Sequence, residues 1–272
     1  MLVNNKKILN IFLEISNQVE KYLVLNKNSK LNIYYKKDSF NNKESFTNLD
    51  KNIEKICITN IKKEFKNVQI ISEENYNQNT LYEDKSYFVI DPIDGTTELI
   101  KGSDNWSLSI AYVDKGKPVV AMLYFPYKHI KIHALHNKGI QINQKIVYNK
   151  NTKKPIKVGI SPRQIRCKNI LEHLNKHNLQ TMQVPTFTTK ILYLILGKID
   201  AAVYFPQKDK SARLWDYAAS VLLLEEMGYK ITSLDGKNLK FDGQNIEHTK
   251  GWLASKKNGH KKLLNKLQLE IK

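Results

Sequence analysis

Asp91-Pro92-Ile93-Asp94-Gly95-Thr96-Thr97 is the stretch of this chain best equipped for chemistry. Two carboxylates flank a Pro-Ile pair, and a glycine and two hydroxyl residues follow at once. Carboxylate and carbonyl oxygens suit a hard cation such as Mg²⁺. A glycine turn with free backbone N–H groups suits an anion, above all where a helix begins. The combination points to a metal held beside a phosphate. Other acids stand far off in the chain: Asp50, the pair Glu73-Glu74, and Asp216 within Trp215-Asp216-Tyr217-Ala218-Ala219. Singly, each has an ordinary explanation. Asp50 and Asp216 can be helix N-terminal residues, and Glu73-Glu74 a solvated turn. As a set they are acids at the ends of separate elements, which is how a fold builds an oxygen-rich metal site from distant positions.

The elements that must position them are legible in outline. Ile8, Ile11, Phe12, Ile15, Val19, Tyr22 and Leu23 recur at helical spacing and predict an amphipathic first helix. The polar stretch 26–48 has little period and reads as a loop or a loose hairpin. A second helix is expected over about 50–65 and a short buried strand over 68–71, ending at Ser72-Glu73-Glu74. Tyr87-Phe88-Val89-Ile90 is an apolar strand that runs straight into Asp91. After the motif the period turns to alternation, with strands expected over 107–113, 118–125 and 130–135 as an antiparallel meander. A polar linker over 149–155 leads to a second half. That half alternates strand 156–160, helix 165–175, strand 181–184, helix 188–196, strand 201–205 and a helix from Trp215 to the Met227-Gly228 stop. The expected division is residues 1–150 and 151–272.

Composition narrows the class. The 272 residues suffice for one large domain or two modest ones, with 41% hydrophobic and 26% charged residues, as in ordinary globular proteins. The net charge of +18 suits either a field that attracts an anionic partner or a plain compositional bias. Lys and Asn are spread along the whole chain, which favours bias, and there is no aromatic-rich basic motif of the base-stacking kind. Cys57 and Cys167 are far apart and read as reduced thiols. The apolar residues of 8–13 are broken by Asn10 and followed by Glu14, unlike a signal peptide. No segment reaches the roughly 20 apolar residues of a membrane span. A cytoplasmic protein is expected. His129, His133 and His136 alternate along a strand region; without a fourth ligand or a cysteine they read as strand residues and not as a zinc site.

Asp50, Ser72-Glu73-Glu74, Asp91 to Thr97 and Trp215 to Ala219 together resemble the inositol monophosphatase-like superfamily of Mg²⁺-dependent, lithium-sensitive phosphatases. The resemblance covers most of the chain. It implies the inositol monophosphatase/fructose-bisphosphatase-like fold, an α+β (α/β) layered sandwich with an antiparallel sheet in the first half and a smaller α/β unit in the second. It implies that Glu73, Asp91 and the backbone carbonyl of Ile93 hold one Mg²⁺, and that Asp91, Asp94 and Asp216 hold another. A third, weaker ion near Glu73 is compatible with the pattern. By the same resemblance Thr96, paired with Asp50, would help Glu73 orient and deprotonate the attacking water, and the N–H groups of Gly95 and Thr96 would receive the phosphate. Within the superfamily, Thr97-Glu98-Leu99-Ile100-Lys101, Tyr124-Phe125-Pro126 and Lys190 look most like the 3'(2'),5'-bisphosphate nucleotidases. Thr97 stands where a lysine is usual, and Thr186-Phe187-Thr188 replaces a Gly-Ser-rich turn. Lys190 and Thr97 are the expected substrate contacts. The leading expectation is hydrolysis of adenosine 3',5'-bisphosphate. The runner-up is an inositol-phosphate or sugar-phosphate monoesterase, and the third is a non-catalytic nucleic-acid-binding protein, which leaves the acidic set without a purpose. Homodimers are common in such enzymes; nothing in the sequence marks an interface.

Overall fold

The computed structural model describes residues 4–76, 86–146, 156–208, 210–241, 243 and 245–268. The linker expected over 149–155, and with it the boundary between the two halves, lies outside the described residues. Asn4 caps the first helix, Asn5–Leu25, which buries Ile8, Ile11, Phe12, Ile15 and Val19 along one stripe. The second helix, Asn48–Glu64, starts slightly earlier than the periodicity suggested. Thr47 is its N-cap, and Asp50 is the third helical residue and closes a capping box with it.

Both helices lie on one face of a seven-stranded sheet. Its spatial order is Gln69–Ser72, Ser86–Asp94, Ser107–Asp114, Lys117–Phe125, Ile130–Leu135, Ile140–Ile142 and Lys145–Ile146. The first pair is parallel and the rest antiparallel. Strand Ser86–Asp94 is apolar on both faces because both are covered. Phe88 and Ile90 join the cluster under the helix pair, while Tyr87 and Val89 join the cluster on the other side.

On that other side lie helices Phe187–Ile195 and Leu214–Glu226, followed by a five-stranded sheet. Its order is Gln180–Gln183, Lys157–Ile160, Ala201–Tyr204, Trp252–Lys256 and Tyr229–Ser233. The first three strands are parallel and the last two join antiparallel. Helices Lys168–Lys176 and His260–Leu267 cover its outer face. The result is a five-layer αβαβα sandwich, with the antiparallel sheet early and the smaller α/β unit late, as the sequence led us to expect. Helix Leu214–Glu226 is buried almost all round, from Leu214 to Leu224 with Asp216 the one partly open residue. A helix between two sheets has no polar face.

Three details differ from the sequence reading. The polar stretch forms a defined antiparallel hairpin, Ile33–Lys37 with Lys43–Thr47. Asp38 closes it, its carboxylate accepting from the N–H groups of Phe40 (2.9 Å) and Asn42 (2.7 Å). The helix expected over 165–175 is two pieces, Pro162–Ile165 and Lys168–Lys176, the first started by proline at its opening position. Strands Tyr229–Ser233 and Trp252–Lys256 complete the second sheet although their periodicity did not announce them. Among the described residues no helix is long and apolar enough to cross a membrane.

Candidate active site

The acidic motif is shaped by a break in a strand. Pairing of Ser86–Asp94 with Ser107–Asp114 shifts register between Asp91 and Asp94, so the chain bulges where Pro92 has no N–H to give. Asp91 Oδ1 accepts from the N–H of Ile93 at 3.0 Å and holds the bulge. Gly95 then turns the chain at φ 102° into the short helix Thr96–Ile100. A Cβ at position 95 would lie 2.6 Å from Thr186 Cγ2 and 3.0 Å from the Asn105 carbonyl. Both the backbone angle and the crowding demand glycine.

Other elements bring the remaining acids to this bulge. Asp91, Asp94 and Asp216 each offer a carboxylate oxygen, and these oxygens lie within 4.8 Å of one another. Asp216 sits in the first turn of Leu214–Glu226, aimed by the Arg213 N–H at 2.7 Å. Strand Gln69–Ser72 runs parallel to Ser86–Asp94 with Ser72 beside Ile90. The next residue, Glu73, therefore stands at the same cavity as Asp91, near enough for its charge to act on the Asp91 carboxyl. Asp50 is buried beneath the cluster and does not join it. It accepts from the Thr47 N–H (2.8 Å) and hydroxyl (2.6 Å), and from Thr96 Oγ1 at 2.9 Å. Thr96 Oγ1 also lies 3.3 Å from the Ile93 carbonyl oxygen.

Burial, then Glu73, Asp94 and Asp216, push the Asp91 carboxyl well above the usual carboxylate range. Asp216 is pushed well up by burial and then by Asp94. Burial raises Glu73 against the pull of Lys36. Glu74 rises to about 7 through burial and then the neighbouring Glu73. Crowded buried carboxylates resist ionisation together unless positive charge joins them. An all-oxygen donor set of this kind fits a hard divalent cation and not a soft one.

Asp91, Asp94, Glu73, Ile93, Gly95, Thr96, Thr97 and Asp216 line one cavity of about 330 Å³. Next to it lies another of about 430 Å³, sharing Asp94, Gly95, Thr97, Lys210 and Asp216 with the first. Five cationic side chains line this second space: Lys101, Arg163, Arg166, Lys190 and Lys210. Phe187 and Trp252 form an aromatic wall, their ring centroids 4.3 Å apart, and Tyr204 adds to it. Exposed Thr97 stands where the two cavities meet. Lys190 is only 2% exposed, and its ammonium donates to Ser161 Oγ and to the Thr186 carbonyl, both at 3.1 Å. Burial lowers its pKa to about 8, with Asp94 opposing.

Residues 4–272 match the Inositol monophosphatase family. The chain belongs to that family. Its members are phosphoric monoester hydrolases. The chain is 28% identical to the Nus factor SuhB of Pasteurella multocida over 82% of each protein. It is 26% identical to the inositol-1-monophosphatase of Bacillus subtilis, over 72% of this chain and 74% of that one. A solved IMPase/NADP phosphatase, complexed with Mg²⁺ and phosphate, superimposes with a TM-score of 0.82. It covers 98% of this chain and 97% of its own, at 20% identity. That likeness is one of fold.

Within this family member, several residues at the site escaped the sequence reading. Lys36, on the hairpin, lies 2.8 Å from Glu74 Oε1 and 3.3 Å from Glu73 Oε1. Glu44, on the returning strand, pairs with Arg213 at 3.0 Å. Glu54 holds the Ser72–Asn75 turn. Thr188 donates to Asp94 from both its N–H and its hydroxyl. The signal for Thr188 was present in Thr186-x-x-Thr189, an N-cap pattern, since Thr186 Oγ1 accepts from the Thr189 N–H at 3.1 Å. Lys36 and Glu44 had none, because a polar stretch without period hides which side chains turn inward. Of the three alternating histidines, His129 is at a turn, His133 is buried in strand Ile130–Leu135, and His136 faces Glu226 at 3.7 Å.

Proposed function

We propose that this chain is a Mg²⁺-dependent phosphomonoesterase whose preferred substrate is a nucleoside 3',5'-bisphosphate, adenosine 3',5'-bisphosphate first, cleaved to AMP and phosphate. The observation that carries the substrate is the cationic, aromatic-walled cavity beside the acid cluster. A substrate with its scissile phosphate at the acids and a second anionic group among Lys101, Arg163, Arg166 and Lys210 would use both spaces, its base against Phe187 and Trp252.

In this reading Glu73, Asp91 and the Ile93 carbonyl would hold one Mg²⁺, and Asp91, Asp94 and Asp216 would hold another. When bound, the ions supply the positive charge that lets a water approach an anionic phosphate and that steadies the departing oxygen. The residues do the rest. Thr96 gives its hydrogen to Asp50, which leaves the Thr96 oxygen lone pairs free to accept a hydrogen bond from the attacking water. Glu73 takes that water's proton as the oxygen bonds to phosphorus, the P–O ester bond breaks, and the leaving oxygen collects a proton from solvent. The N–H groups of Gly95 and Thr96, at a helix start, hold phosphate oxygens. Residues 1–150 supply most of the acids, and residues 151–272 supply Asp216 and most of the cationic cavity.

The second reading, an inositol-phosphate monoesterase, is favoured by the name of the Bacillus subtilis relative. Phosphate release with Mg²⁺ across nucleotide, inositol and sugar phosphates separates the two. Adenosine 3',5'-bisphosphate should give the highest kcat/KM. Faster turnover of inositol 1-phosphate would overturn the nucleotide reading, and no turnover of any monoester would overturn the enzyme reading.

A further inference from the structure

We infer that Glu54 is the positioning residue for Glu73, the carboxylate that the proposed function places on the metal and the water; the inference rests on that reading. Glu54 lies one helical turn beyond Asp50 in Asn48–Glu64, so both project from the same side of the helix. It is 3% exposed. Its Oε1 accepts from the Ser72 hydroxyl and, at 3.2 Å, from the Glu74 N–H. Its Oε2 accepts from the Asn75 side-chain amide. The three donors therefore flank Glu73 on both sides in the chain.

Lys36 pairs with the Glu73 and Glu74 side chains, but among the described residues it is Glu54 that takes a backbone N–H of the turn. Glu73–Asn75 is one turn of 3₁₀ helix, and Ser72, its N-cap residue, makes no side-chain capping bond. Ser72 spends its hydroxyl hydrogen on Glu54 instead. Glu54 thus caps, from a different element, the turn that carries Glu73. An ionised carboxylate is all acceptor and takes the three donors at once. A glutamine there would turn an N–H₂ group toward at least one of them. One helix face then sets two parts of the site: Asp50 fixes the Thr96 hydroxyl, and Glu54 fixes the Glu73 turn.

Glu54→Gln tests this, read by calorimetric Mg²⁺ titration without substrate, by melting of the metal-free protein, and by hydrogen exchange over residues 68–76. The expected result is about 10–100-fold weaker Mg²⁺ binding, the range seen when groups that orient metal ligands are removed, with faster exchange at Glu74. Asn75→Ala, which removes one donor and keeps the carboxylate, should bind Mg²⁺ nearly as wild type does. If Glu54→Gln fails to fold, Ser72→Ala/Asn75→Ala, which strips both side-chain donors, should weaken Mg²⁺ binding in its place. A lowered melting temperature with unchanged Mg²⁺ affinity would make Glu54 a mere packing anchor and overturn the inference while leaving the function intact. A wild-type protein that takes up no Mg²⁺, beside an equally silent Asp91→Asn control, would overturn the function and this inference with it.

Discussion

Asp94 and Thr188, 94 residues apart in sequence, share two hydrogen bonds: Asp94 Oδ2 accepts from the Thr188 N–H at 2.7 Å and from its hydroxyl. The same hydroxyl accepts from Ser107 Oγ at 2.8 Å. An acid from the first sheet is thereby tied to the opening turn of helix Phe187–Ile195, where backbone N–H groups favour negative charge. Thr188→Val leaves Asp94 and buried Ser107 each short of a partner. We expect a stability loss of about 1–3 kcal/mol in urea unfolding, the usual cost of stranding a buried polar group, together with weaker Mg²⁺ binding. Unchanged stability and affinity would show that the tie is incidental.

Asp91→Asn and Asp216→Asn should each reduce kcat/KM by about 10³-fold, the scale of losing a central electrostatic group. Both substitutions keep the side-chain shape, and the amide oxygen introduced at position 91 can still accept from the Ile93 N–H. Steady-state kinetics with Mg²⁺ checks this, and retained turnover in both variants would sink the metal assignment.

Thr96→Val removes the hydroxyl that Asp50 orients. We expect kcat to fall by about 10²-fold or more, in the range of general acid–base contributions, with KM little changed. Thr96→Ser should recover most of the rate. A wild-type kcat in the valine variant would remove Thr96 from the proton path.

The acid cluster makes stability depend on pH in a direction opposite to that of a salt-bridged carboxylate. Asp91 and Asp216 hold their protons more tightly when folded than the ordinary value of 3.8 allows. Between that value and the raised folded one, the folded state binds more protons than the unfolded state, so it loses stability as pH rises. Metal-free protein should therefore show its cluster-dependent stability near the ordinary carboxylate pKa and lose it upward, while Asp91→Asn flattens that fall. Mg²⁺ should restore stability at neutral pH, by about 2.7 kcal/mol at a hundred times its dissociation constant. Melting curves across pH, with and without Mg²⁺, read both effects; a wild-type and Asp91→Asn difference that does not grow with pH would contradict the argument.

Arg163 and Arg166 line the second cavity and not the one that holds the acids and Thr96. Substituting both by alanine should raise KM for adenosine 3',5'-bisphosphate by about tenfold, equivalent to roughly 1.4 kcal/mol. KM for a monophosphate without a second anion should change far less. Equal losses on both substrates would place these cations on the scissile phosphate instead.

The local frame of the site was open to sequence reasoning because it is made of short-range chemistry. An apolar strand, a proline, two aspartates and a glycine dictate a strand, a break and a turn wherever they occur, and Gly95 could be nothing larger. The stripe of the first helix and the alternation of the meander likewise follow from periods of 3.6 and 2. The hairpin at 33–47 was barely visible, since its first strand is mostly exposed, its second only partly buried, and neither carries an apolar period. The broken helix at 162–176 was blurred because both pieces share one apolar pattern.

What the sequence by itself determined is which residue types were available: a set of separated acids, a glycine turn and a hydroxyl in the order of one family. Only the tertiary structure decided who stands beside whom. It set Glu73 near Asp91 through a parallel strand pair, brought Asp216 in on a helix buried between two sheets, and put Lys36, Glu54 and Thr188 against the acids. Those neighbours come from distant parts of the chain, joined by sheet register and layer packing. Neither leaves a local period for a single sequence to display.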